Sequence, residues 1–248
     1  MTETLTESHL GGLRVQSVGD IVPVVNMLIY GDPGVGKTVL AGSASAVEEM
    51  SPVLFIDIEG GTMSLRKRFP DVDVVRVSNW PEMLQVYNDI AGGDHYRTVV
   101  LDSLTEIQKF SMYHIMKDLV VSDPDRDPDM PGIREWGKNA EQVRRFVRAF
   151  RDLPVNTIFT ALAATDKDPK TGAILSRPYL SGKLSAEVAG FLDVVCFMYM
   201  RIVDGAIKRL LLTSATDNCI AKDRSDSLPP VLEDPEMNII HPIVIGAN

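Results

Sequence analysis

Apolar residues in this chain gather into short, nearly continuous runs separated by polar stretches that carry glycine or proline. Residues 24–30, 52–59, 71–77, 97–103, 155–161, 193–201, 207–213 and 239–245 each have strand length. Most are apolar at successive rather than alternate positions, the pattern of strands covered on both faces. Between them the pattern changes to a helical period. Residues 79–91 open on Asn79-Trp80-Pro81-Glu82, with Asn79 as cap, proline in the first turn and Glu82 reaching back, and Gly92-Gly93 stops the helix. Residues 104–117 are predicted helical. Residues 134–150 place Ala140, Val143, Phe146, Val147 and Phe150 on one stripe, with Arg144, Arg145, Arg148 and Arg151 on the other side. That arginine face is read either as a solvated face or as a nucleic-acid contact. Leu184 to Gly190 is a further short helix, and Asp204-Gly205 is a tight-turn signal that pairs 193–201 with 207–213 as a hairpin. The expected fold is α/β, with a mainly parallel sheet flanked by helices and a C-terminal antiparallel hairpin.

The chemistry centres on Gly31-Asp32-Pro33-Gly34-Val35-Gly36-Lys37-Thr38, which fills every fixed position of the P-loop pattern G-x-x-x-x-G-K-S/T. A predicted strand precedes it and a small-residue helix follows, the context the pattern requires. Glycines let successive backbone N–H groups turn inward on phosphate oxygens, and the next helix presents its unpaired N–H groups there. Lys37 has the reach for the outer phosphates. The Thr38 hydroxyl is a hard oxygen ligand for Mg²⁺. Two strand ends complete the set. Residues 97–103 end in Asp102-Ser103, the pattern of a Walker B strand whose carboxylate helps hold Mg²⁺. Residues 52–59 end in Glu59 before Gly60-Gly61. Ligands of open parallel sheets sit at the carboxyl ends of strands, so Glu59 is placed to activate the water that attacks a γ-phosphate, or else is a solvated acid.

Composition narrows the remaining choices. The 248 residues are 45% hydrophobic and 24% charged, enough for one large domain, expected over 21–248 behind an N-terminal arm at 1–20. The arm is either a flexible tail or a docking arm for a neighbouring subunit. A net charge of −9 excludes a surface basic all over, while leaving room for a local basic channel. Cys196 and Cys219 imply buried thiols rather than a disulfide framework, and the four histidines show no metal-ligand spacing. The first twenty residues are unlike a signal peptide, and the apolar run 194–200 is too short to span a bilayer, so a cytoplasmic protein with no membrane partner is expected.

Taken together, residues 22–230 resemble the RecA-type ATPase core. The resemblance rests on the P-loop, on F-I-D-x-E at Phe55 to Glu59, on Asp102-Ser103 and on two polar loops at about 118–135 and 164–183. It also rests on Lys222-Asp223-Arg224, similar to the cation pair that such proteins insert into a neighbour's nucleotide site. Ser181-Gly182-Lys183-Leu184-Ser185 and Ala221 to Arg224 look most like phage-encoded ATPases of the Sak type, associated with single-strand annealing and recombination. The resemblance implies ATP and Mg²⁺ as cofactors. It further implies a homo-oligomer (ring or filament) in a phage-infected bacterial host, with single-stranded DNA as partner. Glu59, Lys37, Lys222 and Arg224 would be catalytic, with Thr38 and Asp102 on the metal and Ser103 beside the nucleotide. Lys167, Lys170, Arg177 and Lys183 would contact DNA. Two features depart from the family. Leu162 stands where a γ-phosphate-sensing glutamine is expected, and the first loop is acidic at Asp123, Asp125, Asp127 and Asp129. An ATP-dependent regulatory or assembly module that binds protein instead of DNA is the alternative, and a small-molecule kinase is a third.

Overall fold

The computed structural model describes residues 8–11, 13–167, 172 and 174–246. The chain runs β1 (Ser8–Leu10), β2 (Leu13–Val15), β3 (Asn26–Gly31), α1 (Lys37–Gly42), β4 (Val53–Asp57), β5 (Asp73–Arg76) and α2 (Trp80–Ala91). It continues with β6 (Thr98–Asp102), α3 (Leu104–Ser122), α4 (Ile133–Arg151), β7 (Asn156–Lys167), β8 (Ile174–Pro178) and α5 (Leu184–Phe191). β9 (Val194–Val203), β10 (Ala206–Leu212), β11 (Lys222–Asp223), β12 (Val231–Glu233) and α6 (Met237–Ile245) complete it.

The main sheet has the order β12-β10-β9-β3-β7-β6-β4-β5. From β9 to β5 every neighbour is parallel, while β9, β10 and β12 pair antiparallel. This is the α/β arrangement expected, a mainly parallel sheet flanked by helices with antiparallel strands near the C-terminus. Among the described residues β1 and β2 form a separate two-stranded sheet. Side chains alternate across the sheet. Leu28, Tyr30, Leu101 and Phe159 pack under α2, α3, α4 and α5, and Met27, Ile29, Val100 and Ile158 pack under α1 and α6. Covering both faces explains why these strands are apolar at successive positions. Among the described residues no helix is long and apolar enough to cross a membrane.

Local signals hold where they are strong. Asn79 Oδ1 accepts from Glu82 N at 3.0 Å, and the Glu82 carboxylate accepts from Ser78 N at 2.8 Å, one residue before the cap. Helix α3 runs five residues beyond the expected end at 117, which shortens the first polar loop to residues 123–132. Within the second polar loop β7 extends to Lys167 and pairs with β8 from Ala163↔Pro178 to Lys167↔Ile174. The expected last strand at 239–245 is wrong, because Met237–Ile245 is a helix. Its β-branched run has strand propensity, but propensity differences are small beside burial. Met237 and Ile240 are buried against the segment that follows α1, and Met237 N donates to Ser43 Oγ at 2.9 Å. Gly246, at φ +71°, ends the helix.

The arginines of α4 serve the chain's own structure. Arg144 bridges to Glu187 of α5 at 2.7 Å and to Glu141 at 2.6 Å, and Arg148 lies 4.2 Å from the Phe191 ring centroid. Cys196 is buried, Cys219 half-buried, and both are free thiols.

Candidate nucleotide-binding site

The P-loop joins the carboxyl end of β3 to α1. Gly34 and Gly36 stand at φ +80° and +110°, where a side chain would strain the backbone. A Cβ on Gly31 would come within 2.2 Å of Met198 O, so the loop's first glycine is required by the neighbouring strand β9. Lys37 folds across the loop and donates to Gly31 O and Asp32 O, both at 2.9 Å. Burial lowers its pKa, against the opposing pull of Asp102, Glu59 and Asp32. Those carboxylates mark the ground over which its charge is used.

Asp102, at the end of β6, is 2% exposed. Thr38 Oγ1 donates to its Oδ2 at 2.8 Å, and Thr160 Oγ1 of β7 donates to Oδ1. Burial raises the Asp102 pKa, while the hydrogen bonds from Thr160 and Thr38, and the Lys37 charge, act the other way. Thr160 reaches Asp102 because β7 lies between β3 and β6. Glu59 is exposed just beyond β4, and its Oε1 accepts a hydrogen bond from Ser103 Oγ. Asp57 shapes the turn that carries it: Gly60 N and Gly61 N donate to Oδ1 at 2.8 and 3.1 Å, and Thr62 Oγ1 donates to Oδ2 at 3.0 Å.

This donor set fits Mg²⁺ and a polyphosphate. A hydroxyl and a carboxylate in contact are hard oxygens of the kind that hold Mg²⁺ with few protein ligands. Among the described residues no group of three or more His, Cys, Asp or Glu offers the alternative of a protein-enclosed metal.

P-loop, Glu59, Asp102 and Ser103 are therefore brought together, as the sequence reading required. Thr160 and Asp57 were missed. Asp57 had a local signal, an aspartate followed by a glycine turn, whereas Thr160 had none. Lys222 and Arg224 lie elsewhere in their own chain. The Lys222 ammonium donates to Leu192 O at 2.6 Å, Ala189 O at 3.2 Å and Gly190 O at 3.3 Å, closing the C-terminal end of α5. Arg224 pairs with Asp193 and also reaches Gly190 O, so the two side chains share a face. Tyr30 on the P-loop strand ties this segment down, its hydroxyl 2.6 Å from Ile220 O.

Of the DNA candidates, Lys167 is exposed at the end of β7 and Lys183 is exposed where α5 begins. Arg177 is engaged by Asp166 and donates to Leu180 O at 2.8 Å, and Lys170 lies outside the described residues. Leu162 sits on β7 in register with Gly31, its N–H donating to Thr105 Oγ1 at 3.1 Å.

No curated protein matches the sequence. A KaiC-like protein of the archaeon Pyrococcus horikoshii is similar in structure, with 16% identity, 76% of this chain and 77% of that chain covered, and a TM-score of 0.46. The flagellar accessory protein FlaH of Methanocaldococcus jannaschii is similar at 11% identity, with 86% and 87% covered and a TM-score of 0.47. Residues 24–225, which carry the P-loop, Glu59, Asp102 and the segment to Arg224, match the AAA domain family, and the chain belongs to that family of ATPase domains.

Proposed function

We propose that this domain hydrolyses ATP with Mg²⁺ and couples hydrolysis to binding single-stranded DNA. The observation that carries the reading is the grouping of Lys37, Thr38, Asp102 and Glu59 at the carboxyl ends of β3, β6 and β4 of one sheet. Thr38 and Asp102 would hold Mg²⁺, which spreads the negative charge of the phosphate oxygens when bound. The loop amides and Lys37, released from Gly31 O and Asp32 O, hold the phosphates. Ser103 occupies Glu59 Oε1, which leaves Oε2 to accept the proton of the attacking water. Lys222 and Arg224 would act on a neighbouring copy's nucleotide in a homo-oligomer, after leaving the end of α5.

Support for the DNA half is the course of β7. It passes Asp102 at Thr160 and runs on to exposed Lys167, in the arm that pairs with β8 and carries Arg177, and exposed Lys183 follows where α5 begins. The resemblance to Sak-type recombination proteins supports the same substrate. A second reading, an assembly module that binds protein, is favoured by the exposed aspartates 123, 125, 127 and 129 beside exposed Met130 and Ile133. Phosphate release and oligo-dT binding test both. Glu59→Gln should keep ATP affinity and lose turnover by on the order of 10²-fold. Equal losses of affinity and turnover would make Glu59 structural. Oligo-dT binding that weakens steeply with salt supports the DNA reading, and no binding at low salt with ATP present transfers the function to the second one.

A further inference from the structure

Of the chain's eight Phe, two Trp and six Tyr, three are exposed: Tyr113, Trp136 and Tyr179. All three line one cavity of about 420 Å³. They come from α3, α4 and the segment after β8, so only the fold assembles them. Met112 and Met116 lie between them, and Pro128, Asp129 and Pro131 of the loop joining α3 to α4 form a wall. A folded surface rarely concentrates its exposed aromatic rings without a partner to cover them. Thioether side chains among the rings make a surface that adapts to what it meets.

The rim decides the chemistry of the occupant. The loop wall carries Asp123, Asp125, Asp127 and Asp129, all exposed. Its one cation, Arg126, is held by Glu135 at 3.0 Å, and Lys109 in the cavity lining is held by Glu106 at 2.6 Å. Lys117, Arg134 and Lys138 on the same two helices are exposed but do not line the cavity. A phosphate backbone entering here meets uncompensated carboxylates, whereas a cationic chain meets its complement.

We infer that this groove docks a polypeptide segment whose apolar anchor enters between Tyr113, Trp136 and Tyr179 and whose flanking Lys or Arg side chains meet the aspartate loop. The inference deepens the second reading above and requires no ATP turnover. Thr105, also in the cavity lining, lies three residues past Asp102 in sequence and donates to Tyr179 O at 3.3 Å.

The test is fluorescence anisotropy with three labelled synthetic peptides. One has a Leu-Trp-Leu centre flanked by Lys and Arg, one has the same centre flanked by Glu, and one has a Gly-Ser centre flanked by Lys and Arg. The first should bind, and the other two should bind at least about 10-fold more weakly. Trp136→Ala should weaken the first peptide by about 10-fold or more, as expected for an aromatic anchor. Tyr113→Ser, at a position 64% exposed and so safe for folding, should weaken it in the same direction. Replacing the four aspartates by Asn should weaken it several-fold and flatten its salt dependence. Lys37→Ala, which removes turnover, should leave peptide binding intact and so separates this inference from the ATPase reading. The inference is overturned by equal binding of the Gly-Ser peptide or by unchanged binding in both aromatic variants. Displacement of the peptide by oligo-dT would overturn it too, by marking the groove as a nucleic-acid surface.

Discussion

Tyr30→Phe removes one oxygen from the centre of the molecule. The ring is fully buried on the P-loop strand, 5.1 Å from the Phe197 ring centroid, and phenylalanine keeps that packing. The hydroxyl stands 2.6 Å from Ile220 O and 3.1 Å from Ser176 O. Burial raises the Tyr30 pKa further above its ordinary range, so the group is a neutral donor. Ser176 O also accepts from Ile220 N at 3.2 Å and keeps a partner in the variant. Ile220 O does not: among the described residues its one donor is Tyr30. A lost neutral hydrogen bond costs about 1 kcal/mol, and a buried carbonyl left alone adds about 1 kcal/mol or more, for about 2 kcal/mol in all. For a domain of this size that lowers Tm by about 4–8 °C. The loss falls on the segment that carries Lys222, so amide exchange at residues 221–224 should rise more than exchange in β6. Calorimetry and hydrogen exchange read the two effects. A Tm within about 1 °C of the parent, with unchanged exchange at 221–224, refutes the claim that this hydroxyl anchors the segment to the P-loop strand.

Thr160→Val should leave ATP affinity without Mg²⁺ unchanged and raise the Mg²⁺ concentration needed for half-maximal turnover by about 10-fold, since it removes the hydroxyl that orients Asp102. An unchanged Mg²⁺ requirement would make the contact incidental. His241 of α6 is 4% exposed, and burial lowers its pKa against the opposing pull of Glu49. The unfolded chain therefore binds this proton more readily, so stability should fall as pH drops below the ordinary 6.5 towards the lower folded-state value. Urea titrations at pH 7.5 and 5.5 should show this fall, and His241→Leu should reduce it. Changing Lys222 and Arg224 together to Ala should spare ATP binding, lower Tm through the loss of the α5 end contacts, and cut hydrolysis sharply. Mixing that variant with Lys37→Ala should restore some activity if the pair acts on a neighbour. No rescue at any ratio, with assembly verified by light scattering, would confine the pair to its own chain.

Much of the fold is legible along the chain because its causes are local. The P-loop depends on dihedral freedom at Gly34 and Gly36 and on a lysine adjacent in sequence, so the motif states its own geometry. The start of α2 depends on Asn79 and Glu82 within one turn, and the β9–β10 connection depends on Asp204 and Gly205, at φ +52° and +77°. Strands buried on both faces announce themselves by uninterrupted apolar runs. Glu59 and Asp102 were legible because each ends such a run, and strand ends in parallel sheets converge.

What the tertiary structure alone decided lies between residues far apart in sequence. Thr160 meets Asp102 across 58 positions and Ser103 meets Glu59 across 44, pairings set by strand order and invisible to any local window. The assignment of Lys222 and Arg224 to the end of α5 has the same cause. α6 overrode the strand propensity of its isoleucines and valine because burying Met237 and Ile240 beside α1 is worth more than the preference of the backbone. The ring of Tyr113, Trp136 and Tyr179 exists because two helices and a strand end pack side by side, and each ring taken singly in the sequence is an ordinary aromatic. Local rules govern backbone conformation. Which side chains share a site is settled by packing, since burial marks which positions are apolar but not which distant element covers them.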